Sequence, residues 1–161
     1  MTRKHYSAYE SALESLARRS HSRKELKSKL FRKGFPGKDI YQALDRLEEL
    51  GYLDDRKFAT EYARYRLRQS PRGRMLLSAE LIKRGVSRDI VDQILPEVFE
   101  EYPEDRLVEE LVGKWRRTCG EAFATSDITK LVRSLSRKGF EWEVIRRQVG
   151  HLTPTDSGAF D

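Results

Sequence analysis

A short pattern recurs three times in this chain, at intervals of about fifty residues. It runs Leu30-Phe31-Arg32-Lys33-Gly34-Phe35 with Ile40 following, then Leu81-Ile82-Lys83-Arg84-Gly85-Val86 with Ile90, then Leu135-Ser136-Arg137-Lys138-Gly139-Phe140 with Ile145. A fixed period of that size marks an array of stacked supersecondary units. The glycine has a mechanical reason. It ends a helix where the backbone must turn left-handed, a conformation that penalises any residue bearing a Cβ. Each recurrence therefore reads as a helix, a glycine corner and a second helix.

The stretches between corners carry helical periodicity. Ala8 to about Arg19 predicts a first helix with Ala12, Leu13 and Leu16 on one face. Ser22-Arg23-Lys24-Glu25 has the form of a capping box for a second helix with Leu26 and Leu30 inward. A third, from Gly37 to Leu50, carries Ile40, Leu44 and Leu47, and Gly51 stops it. Asp54-Asp55 read as caps for a fourth, about Asp55 to Arg68, with Phe58, Tyr62 and Tyr65 as a core stripe. Tyr52 and Leu53 are expected to pack between repeats. Pro71 and Gly73 break the fourth helix, and a fifth follows over Arg74 to Arg84. Ser87 caps a sixth with Ile90, Ile94 and Val98 inward, and Pro96 predicts a kink or an early stop there. A seventh opens at Pro103 with Leu107, Leu111 and Trp115. A loop from Thr118 to about Thr125 leads to an eighth, capped by Ser126, and a ninth holds Trp142, Ile145 and Val149. No strand signal stands out. The expected fold is all-α, an elongated, curved array of three tandem three-helix repeats over residues 8–55, 56–102 and 103–152, with a frayed tail over 153–161.

Composition agrees with such an array. The 161 residues carry 32 Lys and Arg against 26 Asp and Glu, a net charge of +6, with 38% hydrophobic residues. A repeat array, in which each unit contacts only its neighbours, tolerates a thin core. The basic excess favours nucleic acid or an acidic protein surface as partner. The charge is also blocked. Arg18 to Lys38 and Arg64 to Arg88 are basic, while Glu97 to Glu110 is acidic. Arg64, Arg68, Arg72, Arg74, Lys83 and Arg84 are expected to form the partner-binding stripe, with Arg23 and Lys27 next in line.

Catalytic chemistry finds little footing. His5, His21 and His151 lack metal-ligand spacing and read as surface residues. Asp54-Asp55 sit where capping is the better reading. No phosphate-cradling glycine loop is evident, nor a nucleophile with a base nearby in sequence. No metal or cofactor is expected, and a binding protein is the default over an enzyme. One cysteine, Cys119, excludes an internal disulfide framework. The basic start lacks an apolar run behind it, and no stretch approaches twenty apolar residues, so a cytoplasmic location is expected.

Several of these residues together resemble one known family. Ser22-Arg23-Lys24-Glu25-Leu26, the first corner through Phe35, and Leu50-Gly51-Tyr52-Leu53-Asp54-Asp55 with Phe58-Ala59 are similar to the RecX regulatory proteins, which modulate the RecA recombinase. Arg72-Gly73, Glu80 through Val86 and the weaker third corner continue the likeness from about Ala8 to Leu152. The chain departs at Leu77, where isoleucine is usual, and at Arg74, where proline is frequent. The resemblance implies a cytoplasmic protein of tandem three-helix repeats, and a monomer is expected. It implies binding in the groove of the RecA–DNA filament and inhibition of its recombinase, ATPase and co-protease activities in DNA repair, recombination and the SOS response. A stand-alone nucleic-acid-binding repeat protein is the alternative.

Overall fold

The computed structural model describes residues 7–120 and 124–152. These residues form nine helices and no strand: α1 (Ala8–Arg18), α2 (Arg23–Arg32), α3 (Gly37–Glu49), α4 (Asp55–Gln69), α5 (Arg74–Lys83), α6 (Arg88–Glu101), α7 (Glu104–Cys119), α8 (Thr125–Arg137) and α9 (Trp142–Val149). The all-α expectation and its tandem three-helix repeats hold.

The recurring pattern has a local cause. Gly34, Gly51, Gly85 and Gly139 all have positive φ, between 73° and 92°. At the first corner the Gly34 amide donates to the carbonyl of Phe31 (2.9 Å) and Phe35 donates to Leu30 (3.4 Å). Gly85 and Val86 repeat this pairing on Ile82 and Leu81, and Gly139 and Phe140 on Ser136 and Leu135. These are Schellman ends, in which the residue after glycine folds back on the helix and brings its apolar side chain with it. Leu30, Leu81 and Leu135 are buried accordingly, as are Val86 and Phe140.

Two compact units result. One comprises the described residues up to Ala63 together with Glu80–Ile94; the other comprises Arg64–Ala79 and the described residues from Leu95 onward. In the first, α1, α2 and α3 pack on one another. Their core is Ala12, Leu26, Leu30, Ile40, Leu44, Leu47 and Leu53, with Tyr9, Leu16 and Phe35 against it. In the second, α7, α8 and α9 pack mutually, burying Leu107, Val108, Val112, Leu131, Leu135, Val144, Ile145 and Val149.

Several local expectations are corrected. Helix α6 runs through Pro96 to Glu101 without stopping. Pro96 is exposed, while Ile94, Leu95, Val98 and Phe99 on either side of it are buried; tertiary burial outweighs one lost backbone bond. Trp142, Tyr52, Tyr65 and Leu13 are exposed rather than core. His21 is buried, its Nδ1 2.9 Å from the Arg19 carbonyl, and burial holds its pKa below the ordinary value. Helix α7 extends to Cys119, Gly120 closes it, and α8 starts after Ala124, not Ser126. Asp127 accepts the Ala124 amide there (3.1 Å). The expected loop's middle, the frayed tail and His5 lie outside the described residues. No helix of the described residues is long and apolar enough to cross a membrane.

Candidate partner-binding surface

The start of α2 organises the basic residues of the first unit. Ser22 caps the helix through the Glu25 amide (3.1 Å). The Glu25 carboxylate does not return to close the expected box. It pairs instead with Arg19 (3.1 Å) and Arg84. An ion pair with two guanidiniums outweighs one hydrogen bond to the cap. Arg23 reaches across to α3, donating to Asp45 (2.6 Å) and Glu48 (2.5 Å). One turn on, Lys27 donates to the Tyr41 hydroxyl (2.5 Å).

The end of α5 meets this same turn. Ser22 Oγ donates to the Arg84 carbonyl (2.5 Å) and Lys24 Nζ to that of Lys83 (3.4 Å). A Cβ on Gly85 would lie 2.3 Å from Cβ of Lys24, so the approach requires glycine. The Arg84 guanidinium stacks 4.4 Å over the Tyr62 ring, whose hydroxyl donates to Glu80 (2.9 Å). Lys83 is exposed and has no carboxylate partner among the described residues.

The second unit repeats the arrangement at the start of α5. The Gly73 amide donates to the Lys138 carbonyl (2.8 Å) and that of Met75 to Gly139 (3.1 Å). A Cβ on Gly139 would lie 2.3 Å from the Leu76 nitrogen. The Arg74 amide donates to Glu104 (2.8 Å), and its guanidinium lies 3.7 Å from the same carboxylate and 5.0 Å over the Phe99 ring. Arg64 is held by both oxygens of Glu101. Arg72 is 8% exposed, with Nε donating to the Ser70 carbonyl (3.3 Å), so it does not lie outward as expected. Arg68 is exposed, without a carboxylate partner among the described residues.

The eight expected contact residues thus divide by unit and by state. Arg23, Lys27, Lys83 and Arg84 belong to the first unit; Arg64, Arg68, Arg72 and Arg74 belong to the second. Arg23, Arg64, Arg74 and Arg84 are ion-paired, while Lys27, Lys83 and Arg68 hold no carboxylate among the described residues. The acidic run supplies much of this pairing through Glu101 and Glu104, and Asp105 takes Arg147 in two bonds (3.0 and 2.8 Å). Sequence reasoning placed the acids as a block but not their partners. It also missed the exposed rings of Phe31 and Tyr41. Among the described residues no group of three His, Cys, Asp or Glu could hold a metal ion.

Comparison with known proteins fits this architecture. The family model of the RecX first three-helix domain matches residues 8–47, and that of the second three-helix domain matches residues 54–95. The regulatory protein RecX of Pelodictyon phaeoclathratiforme is 37% identical, over 84% of this chain and 82% of its own length. That of Chlorobaculum tepidum is 36% identical, over 96% and 94%. The crystal structure of RecX from Lactobacillus salivarius shares the fold, with a TM-score of 0.79 at 22% identity over 89% of this chain and 92% of that one. With both three-helix domains matched and near full-length relatives sharing over a third of their residues, the chain belongs to the RecX family of regulatory proteins.

Proposed function

We propose that this protein binds the filament RecA forms on DNA and lowers its recombinase, ATPase and co-protease activities, acting as a cytoplasmic monomer in DNA repair and the SOS response. The observation that carries this reading is family membership across both matched domains. The mechanism is steric and electrostatic. Repeats over 8–55, 56–102 and 103–152 each contribute modest contacts, which multiply when made by one chain. Lys27, Lys83 and Arg68 meet acidic protein surface or phosphate without breaking an ion pair. Arg23, Arg64, Arg74 and Arg84 exchange a carboxylate for the partner, and their planar forks suit either target. Arg72 contributes only where its burial is relieved.

The test is RecA ATP hydrolysis on circular single-stranded DNA, with this protein added below the amount needed to coat the DNA. A fall in hydrolysis is expected at those amounts. Undiminished hydrolysis with this protein equimolar to RecA overturns the reading.

A further inference from the structure

Helices α2 and α3 run antiparallel, and their shared flank changes character along its length. At one end Arg23 neutralises Asp45 and Glu48. One rung on, Lys27 meets Tyr41 through the hydroxyl and lies 4.7 Å from the ring centroid. Phe31 lies one turn on from Lys27 in α2, and Lys38 precedes Tyr41 by three residues at the start of α3. Among the described residues neither Lys27 nor Lys38 has a carboxylate partner, although Asp39 follows Lys38 in the chain. Lys24, Lys27 and Phe31 share one face of α2, and Lys38 and Tyr41 share one face of α3, by their three- and four-residue spacings. Leu26 and Leu30, flanking this face of α2, are buried in the core.

Phe31 is 70% exposed and Tyr41 is 47% exposed. A single exposed ring is ordinary. Two rings beside three lysines that have no carboxylate partner among the described residues are a combination with a use. Aromatic rings stack on unpaired bases of any sequence, and lysines beside them meet the phosphates. A paired duplex cannot offer its bases to such rings.

We propose that the α2–α3 face carrying Phe31, Tyr41, Lys24, Lys27 and Lys38 is a binding surface for single-stranded nucleic acid, with bases stacked on the two rings and phosphates on the lysines. The site does not depend on the filament reading, because it needs no RecA.

The experiment is fluorescence anisotropy of a labelled twenty-nucleotide oligo-dT with the full chain, in the absence of RecA. Phe31→Ala is expected to weaken binding about tenfold or more. Lys27→Gln with Lys38→Gln should flatten the dependence of log affinity on log salt by roughly 0.7 for each phosphate no longer neutralised. Phe31→Trp should retain affinity, and the indole it introduces should be quenched by oligo-dT. Phe31→Ala that melts like the parent and binds oligo-dT equally well overturns the proposal. So does Phe31→Ala that loses inhibition of RecA while its oligo-dT affinity is unchanged, because the face then meets protein. A parent chain that binds oligo-dT through Phe31 but leaves RecA hydrolysis untouched supports this site and overturns the filament reading alone.

Discussion

The backbone amide of Arg23 donates 2.7 Å to Oδ1 of Asp55, 32 residues further along the chain. Asp55 opens α4, yet its carboxylate caps α2. Its neighbour Asp54 performs the expected local task, accepting from the amides of Arg56 (2.9 Å) and Lys57 (3.1 Å). In the second unit the Arg74 amide donates to Glu104, the first residue of α7. In both units, then, an acid at the first position of one repeat's first helix caps the second helix of the repeat before it.

Removing these caps should destabilise the fold. Asp55→Ala and Glu104→Ala should each cost about 1 kcal/mol, the usual effect of losing an N-terminal cap acceptor. Asp55→Asn keeps an acceptor oxygen and should cost less. Urea denaturation gives the three values, and equal midpoints for Asp55→Ala and the parent would show that the α2 cap contributes nothing.

The pH dependence of two aspartates should have opposite signs. Burial raises the Asp55 carboxyl above its ordinary range, against the lowering effect of the Arg23 amide. Folding therefore favours its protonated form. Its ionisation subtracts stability as pH rises past the unfolded carboxylate value, and the loss is complete above the folded one. Asp105 is lowered, first by its hydrogen bond from Arg147. Its contribution is present above the unfolded value and is lost as pH falls through the folded one. Carboxyl-carbon NMR titration should place Asp55 above and Asp105 below the ordinary range. The stability of Asp55→Asn relative to the parent should improve with rising pH across that range.

The corner glycines should rank by what surrounds them. Gly34 and Gly51 have positive φ but nothing within 4 Å of an added Cβ. Gly34→Ala should cost only the left-handed strain, on the order of 1–2 kcal/mol. Gly51→Val should cost at least as much, because the added residue is β-branched. Gly139→Ala adds a clash with the backbone of Leu76, and Gly85→Ala one with Lys24. Both should melt well below Gly34→Ala in thermal scans. A Gly139→Ala melt matching that of Gly34→Ala would contradict the close approach.

Charge removal should separate binding from folding. Arg68→Gln with Lys83→Gln breaks no ion pair, so stability should stay within about 0.5 kcal/mol of the parent. Inhibition of RecA should weaken. Arg72→Gln should instead lower the melting temperature, since it disturbs a buried guanidinium and its bond to Ser70. Comparing melting with RecA ATPase inhibition for these variants checks both statements. An Arg68→Gln, Lys83→Gln protein that inhibits like the parent removes those two residues from the binding surface.

What the sequence determined by itself was everything built from neighbours along the chain. Helix periodicity, the Asp54 cap and the Leu-to-Gly corners depend on bonds spanning at most about five residues, so Leu30, Gly34 and Phe35 announce their geometry directly. The same locality made the three-helix repeat legible and, through it, the family. The tertiary structure alone decided where the charges went. Arg64 meets Glu101 across 37 residues and Arg84 meets Glu25 across 59, so a block that reads as free basic charge is partly neutralised. Burial of Arg72 and His21, and exposure of Phe31, Tyr52 and Trp142, have the same origin. A helical face is set by the sequence's period, but whether that face meets protein or water depends on which distant segment arrives there.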